Sequence, residues 1–247
     1  MNSAALLALT CTAIAQEADG AGSSFRLGLG IGTSTSEYRG TDAKARPVPI
    51  ILYEGERLFW RGLAAGAHLY NDDRNQLSLF LSYMPHNFDA SDSDDPAIRL
   101  LDDRDSTLMA GAGYRLMTDW GVARLGASFD TLGNNKGMLF EASYAYPFRF
   151  GSFTLTPRGG AIWASENFND YYYGISRIES ARSGLAEYHA GAGVSPYARL
   201  NLHMDVSESW RVFLDGGATF LSGEITDSPM VDKSVTFGGG AGVAYAF

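Results

Sequence analysis

Cysteine is almost missing: Cys11 is the only one in 247 residues. A lone thiol closes no intrachain disulfide, so a disulfide framework is excluded. Proline is also scarce, at 8 against 29 glycines, which fits a strand-rich chain better than a disordered one. No run of 18 apolar residues occurs, and that excludes a membrane-spanning helix. Positive charge is short as well. The 19 Lys and Arg against 28 Asp and Glu leave a net charge of -9, a balance that excludes nucleic acid as a partner. The longest apolar stretch, Ala4 to Ile14, runs into Ala13-Ile14-Ala15 before Gln16 and reads as a signal peptide over 1–15. Its start, Met1-Asn2-Ser3, carries no Lys or Arg. Cys11 lies inside this leader, so the mature chain is expected to have no thiol. Residues 16–24 read as a short N-terminal segment.

What is present is alternation. Phe25, Leu27, Leu29 and Ile31 alternate with Arg26, Gly28, Gly30 and Gly32. Leu77, Leu79, Leu81 and Tyr83 share one face, and so do Leu108, Ala110, Ala112, Tyr114 and Leu116. Trp210, Val212, Leu214 and Phe220 alternate with Arg211, Asp215 and Thr219. The final stretch puts Val235, Phe237, Val243, Tyr245 and Phe247 on one face and Gly238, Gly240, Gly242, Ala244 and Ala246 on the other. Period two repeated along the chain, with lipid for one face and a lumen for the other, predicts an outer-membrane barrel. Connections alternate between short turns (Asp119, Gly151, Asp205) and longer loops (Asp95, Asp170, Asp227). Trp120, Tyr146, Trp163, Trp210 and Phe247 fall at strand ends, where interface girdles sit. Helical periodicity is absent. The fold class is all-β: one transmembrane antiparallel up-and-down barrel over 25–247, with about 10–12 strands. The spread comes from Pro47 to Tyr70, where Arg61-Gly62-Leu63 divides one long strand or does not.

Several loop motifs are more specific. They are Glu37-Tyr38-Arg39-Gly40-Thr41-Asp42, Asn169-Asp170-Tyr171-Tyr172-Tyr173-Gly174, Ser183-Gly184-Leu185-Ala186-Glu187-Tyr188 and Ile225-Thr226-Asp227-Ser228-Pro229-Met230. In this order, and with Phe247, they resemble the MipA/OmpV family of Gram-negative outer-membrane proteins. The resemblance implies a cell outer membrane location, no enzymatic activity and no catalytic motif. It also implies a scaffold bringing a murein hydrolase together with a peptidoglycan synthase; other members are surface antigens or adhesins. Outer-membrane lipid, lipopolysaccharide and the barrel assembly machinery are the further expected partners. Tyr245 and Phe247 resemble the signal read by that machinery.

The remaining chemistry is modest. Arg115, Arg158, Arg199, Arg211, Asp215, His189 and His203 are expected to line the lumen, as a salt-bridged network or as the wall of a small anion-favouring channel. Ser195 and His189 are six residues apart on one strand, about 20 Å, too far for a dyad. The acidic stretch Ser91-Asp92-Ser93-Asp94-Asp95 lacks the glycine and distal glutamate of an EF-hand and reads as solvated loop. No catalytic residue, metal or cofactor is expected. Tyr171, Tyr172 and Tyr173, with Asp227 and Pro229, are the candidate loop contacts. The tyrosine rings suit a partner or glycan equally with packing over the barrel mouth.

Overall fold

The computed structural model describes residues 24–247. The expected leader over 1–15, and all but the last residue of the 16–24 segment, lie outside the described residues. The strands are β1 Ser24–Ser34, β2 Lys44–Glu54, β3 Leu58–Arg61, β4 Ala64–Asn71, β5 Asn75–Met84, β6 Thr107–Thr118 and β7 Gly121–Asp130. They continue with β8 Met138–Ala145, β9 Phe148–Phe150, β10 Phe153–Ala164, β11 Gly193–Asp205, β12 Trp210–Phe220 and β13 Val235–Ala246. All pairings are antiparallel; β13 closes on β1 and β10 on β11. β9 prolongs β8 along the same edge of β10, past Tyr146-Pro147. Counting β8 and β9 as one, the thirteen segments form a closed ring of twelve. The Pro47–Tyr70 region is divided: Gly62, at φ 61°, turns the chain between β3 and β4.

The alternation places side chains as the pattern dictates. Leu29, Ile31, Leu79, Leu81, Leu125, Leu214 and Phe237 point outward and are exposed, while Gln76, Ser78, Arg199, Asn201 and Asp215 point inward and are buried. In water an outer belt of that kind would be costly, at about 25 cal/mol per Å² of apolar surface. Facing lipid, with the backbone groups of the wall spent in its ladders except along β2 above Ile51, it is the stable arrangement. Aromatic side chains ring the end that carries the short turns. Trp120 stacks on Tyr144 at 5.9 Å, Tyr146 meets Phe148 at 4.8 Å and Trp210 meets Tyr245 at 5.0 Å.

The seam between β1 and β13 is glycine-rich for a steric reason. A Cβ on Gly242 would come within 2.3 Å of Phe213 Cζ and 2.8 Å of the Gly30 Cα. The bare backbone lets Phe213 lie inside the lumen against Ile50 and Leu52. β2 is edge-like above Ile51, because β3 pairs only with Leu52, Tyr53 and Glu54. The Ile51 carbonyl accepts from Gly62 N–H on that side, so Pro47 and Pro49, in step with it, face the same open edge. Their missing N–H groups deny a foreign strand its donors there.

The long loops are not solvated coil. They carry helices α1 Glu166–Tyr173, α2 Arg177–Ser183 and α3 Gly223–Thr226, which alternation along the strands does not foretell. Each is too short to show a repeating apolar stripe. Two of them have side-chain caps: Ser165 caps α1, and Ser176 with Glu179 forms a capping box on α2.

Candidate functional site: a capped, arginine-lined lumen

The loops at the long end fold together over the barrel mouth. Tyr38, Phe88, Ile98, Phe168, Tyr172, Tyr173, Ile175, Ile225 and Met230 form one buried cluster drawn from four connections. Tyr172 and Tyr173, weighed as rings for a partner or for packing over the mouth, are the centre of this cap. Tyr173 donates to Glu37 Oε1 at 3.1 Å, and Tyr38 donates to the Tyr172 carbonyl at 3.3 Å. Burial, joined by the negative charge of Glu37, pushes the Tyr38 and Tyr173 hydroxyls well above the usual phenol range, so both stay protonated donors. Tyr171 is half-buried, and its hydroxyl oxygen accepts from the Asp105 N–H at 2.9 Å. Asp227 is exposed and Pro229 partly so.

The most buried ion pair of the cap is Arg104–Glu179, and Arg182–Asp102, at 2.8 Å, joins the same loop and helix at the surface. Arg104 Nη2 donates to Glu179 Oε1 at 2.8 Å, and its Nε donates to the Tyr171 carbonyl at 2.6 Å. Glu179 takes further hydrogen bonds from Asp102 N–H at 3.1 Å and from Ser176 N–H and Oγ at 2.9 and 2.7 Å. The loop before β6 is thereby tied to the helices before β11. The acidic stretch is spent on contacts with the β1–β2 connection: Asp92 pairs with Lys44 at 2.9 Å and Asp95 with Arg39 at 3.6 Å. Among the described residues no three His, Cys, Asp or Glu side chains converge in a metal-binding group.

Beneath the cap lies a cavity of ≈ 370 Å³. Arg61, Arg115, Arg124, Arg158 and Arg199 contribute to its wall, with Met84, Met109, Leu139, Phe168 and Ile225 toward the cap. Arg115 stands directly opposite Arg124 across β6 and β7, and Arg158 directly opposite Arg199 across β10 and β11. Two guanidinium charges ~6 Å apart repel by about 3 kcal/mol at an effective dielectric of ~20. Arg199 is offset by Asp215, at 2.7 Å with both side chains buried. Glu141 accepts from the Tyr197 hydroxyl. Nε and Nη1 of Arg124 are buried without a hydrogen-bond partner.

Of the residues expected in the lumen, Arg115, Arg158 and Arg199 border this cavity. Asp215 and His203 are buried within the barrel. Arg211 sits at the short-turn end, paired with Asp205 at 2.6 Å. His189 is elsewhere. β11 begins only at Gly193, so His189 falls in the preceding loop, exposed, beside Asp170 at 3.3 Å and Glu187 at 3.5 Å. Tyr245 and Phe247 meet at 4.9 Å, and Phe247 also packs on Phe25 at 5.6 Å.

Arg124 and the Glu54 cluster are additions from the structure. Arg124 was legible, since Leu125, Ala127 and Phe129 face out and put Arg124 inward. The Glu54 cluster was not, because Glu54 reads as part of a turn. Arg61 donates to Glu54 through Nε at 2.9 Å and Nη2 at 2.7 Å, and His68 bridges Glu54 at 3.0 Å and Ser78 at 2.8 Å. Serine, histidine and glutamate in sequence invite a hydrolase reading, but the geometry is structural. The glutamate is occupied by Arg61, and Ser78 sits mid-strand between β4 and β6. Its neighbours' N–H groups belong to the ladders, so no oxyanion donors stand free beside it.

A closed twelve-strand ring with an apolar belt, an aromatic rim, a polar lumen and a loop cap is a transmembrane β-barrel of the outer-membrane class. The chain belongs to the MipA family: the family model described as "MltA-interacting protein MipA" matches residues 27–247. It is 43% identical to the MltA-interacting protein of Escherichia coli (strain K12) over 210 residues, 85% of each chain. It is 39% identical to the outer-membrane protein YiaT of the same organism over 249 residues, covering 100% of this chain and 98% of YiaT. The outer-membrane protein OmpV of Vibrio cholerae is 28% identical over 151 residues, 61% of this chain and 58% of OmpV. This is a protein of the outer membrane. The relatives are named as interacting or outer-membrane proteins, and none of the three names denotes an enzyme.

Proposed function

We propose that this barrel is a non-enzymatic envelope scaffold that docks a murein hydrolase, and through it a peptidoglycan synthase, on its periplasmic rim. The observation that carries the reading is the 43% identity, over 85% of both chains, to a protein named for its interaction with MltA. In barrels of this class the short turns face the periplasm. Those turns, at 55–57, 72–74, 119–120, 151–152 and 206–209, present Glu56, Arg57, Asp73, Arg74, Asp119 and Glu208 to solvent. The docking surface is therefore a low rim of mixed charge rather than a projecting domain. Contacts of this kind are steered by charge and weaken with salt. Purified barrel in nanodiscs is expected to bind a purified MltA-type lytic transglycosylase at low ionic strength. Arg57→Glu with Arg74→Glu should weaken that binding about tenfold, about 1.4 kcal/mol. Absence of any complex with the intact barrel would remove the scaffold reading and leave the fold untouched.

The aromatic pair Tyr245 and Phe247 serves assembly in this reading. Phe247 is 76% exposed and reaches the rim beside Phe25, where a receptor can grasp it. Phe247→Ser should lower the assembled fraction severalfold, read as heat-modifiable gel mobility of membrane fractions. Wild-type assembly of that variant would rule the role out.

A further inference from the structure

We propose that the lumen cavity takes up a compact, uncharged apolar molecule from the outer leaflet, through an opening in the barrel wall beside β2. The inference is independent of the scaffold reading, which concerns the periplasmic rim. It rests first on the ladder. Leu52, Arg61, Ala64 and Ser82 stand side by side in one row across β2, β3, β4 and β5. At about 4.8 Å between neighbours, β2 and β5 are there about 14 Å apart. One step higher the two inner strands end: Gly62 N–H donates to the Ile51 carbonyl, and Tyr83 N–H to the Leu63 carbonyl. Above that step no strand stands between β2 and β5. Among the described residues no backbone hydrogen bond reaches Ala45, Pro47 or Pro49 from that side. β5 does not fill the space. It ends at Met84, Pro85 follows, and His86 then turns inward, its buried ring centred 4.3 Å from that of Tyr172. The loop before β6 crosses back to β2 only at the top, where Asp92 pairs with Lys44 and Asp94 N–H donates to the Gly40 carbonyl.

Depth and lining define what can enter. Pro47 and Pro49 stand beside Ile31 and Leu29, which belong to the exposed outer belt, so the opening lies in hydrocarbon. An unpaired backbone edge at that depth is tolerated where it borders a cavity. One lies behind it: Ala64, Tyr83, Met84 and His86 all line the ≈ 370 Å³ enclosure. The cap of Tyr38, Tyr172, Ile175 and Met230 closes the axial route from water, which leaves the bilayer as the source. A strand is a poor occupant, since Pro47 and Pro49 lack the N–H donors that pairing needs. Beyond Met84 the cavity wall toward the cap is Met109, Leu139 and Phe168, which suits an apolar body. A cavity of about 150 Å³ already holds benzene, so a molecule of one or two rings fits.

Photolabelling of the purified full barrel in nanodiscs tests this with 3-trifluoromethyl-3-phenyldiazirine, a single ring that dissolves in the bilayer, with adducts located by mass spectrometry. Adducts are expected on Met84, Met109 and Phe168 as well as on the outer belt. Excess naphthalene should cut the cavity adducts at least tenfold and leave those on Leu79 and Leu214 within about twofold. Val48→Trp and Ala64→Trp each set a large ring at the opening from a different strand. Either variant, running as a heat-modifiable band, should lose at least tenfold in cavity labelling. Glu179→Ala, which loosens the cap, should change it by no more than about twofold. Labelling confined to the belt, or cavity labelling that naphthalene leaves unchanged, would overturn the proposal. So would full cavity labelling in a folded plugged variant, or a tenfold rise in Glu179→Ala, since either places the entry elsewhere.

Discussion

Glu179→Ala is expected to unlatch the cap while leaving the barrel closed. The replacement strands Arg104 among the Tyr171, Gly174 and Asp102 carbonyls without its counter-charge. Removing one partner of a buried pair costs about 3–5 kcal/mol. The same change removes half of the capping box on α2. The expected readout is protease cleavage between 177 and 190 at enzyme levels that leave the wild type intact, with the barrel still running as a heat-modifiable band. pH should reproduce the effect in wild-type protein. Burial pushes the Glu179 carboxyl up, but hydrogen bonds from Ser176 and Arg104 outweigh it and hold the group at about 2. A carboxylate lowered in the folded state contributes fully above its unfolded value of about 4.3 and loses that contribution as pH falls toward 2. Protease sensitivity of the cap should therefore appear within that window and be absent at neutral pH. Equal resistance at pH 7 and pH 2.5 would contradict the latch.

The second large effect is expected inside the wall. Arg199→Met leaves Asp215, 3% exposed, as a buried charge without its hydrogen-bonded counter-ion. Destabilisation of about 3–5 kcal/mol follows, measurable as a lowered urea midpoint of the assembled barrel. The double variant Arg199→Met with Asp215→Leu should recover most of this, since a well-packed apolar pair replaces an ion pair at little cost. If the double variant is as unstable as the single one, the pair is not what holds β11 to β12 at this level. Arg158 lies opposite Arg199, so the double variant also relieves one like-charge opposition.

The wall was readable because a strand's environment repeats every second residue. Leu200 and Leu214 announce lipid, while Arg199 and Asp215 announce lumen, whatever the distant chain does. The twelve-strand count was legible only as a range, because the Gly62 turn inside the wall has no flanking polar loop. The cap was illegible for the opposite reason. Tyr38, Phe88, Tyr172 and Met230 meet across separations of tens to nearly two hundred residues, and none lies in a periodic stretch. The tyrosine run could pack or bind with equal justification until its neighbours were known. Ser176 and Glu179 carry a local sign, the S-x-x-E spacing of a capping box, inside the longest loop. The β11 alternation continues back to His189, four residues before the strand begins at Gly193, and so predicts a strand face where the chain is loop. Alternation persists into a loop by chance as easily as by structure.

The cap also determines what an immune system can recognise on this barrel. Tyr172, Tyr173 and Ile175 are hidden within it, so antibodies raised against a linear Tyr171–Ser176 peptide should miss the folded protein. What the long-loop end displays is a mosaic: Asp94 and Arg99, Lys136, Ile178 and Glu187, and Asp227, each exposed and drawn from different connections. Its epitopes are discontinuous, and they exist only while the cap stays folded.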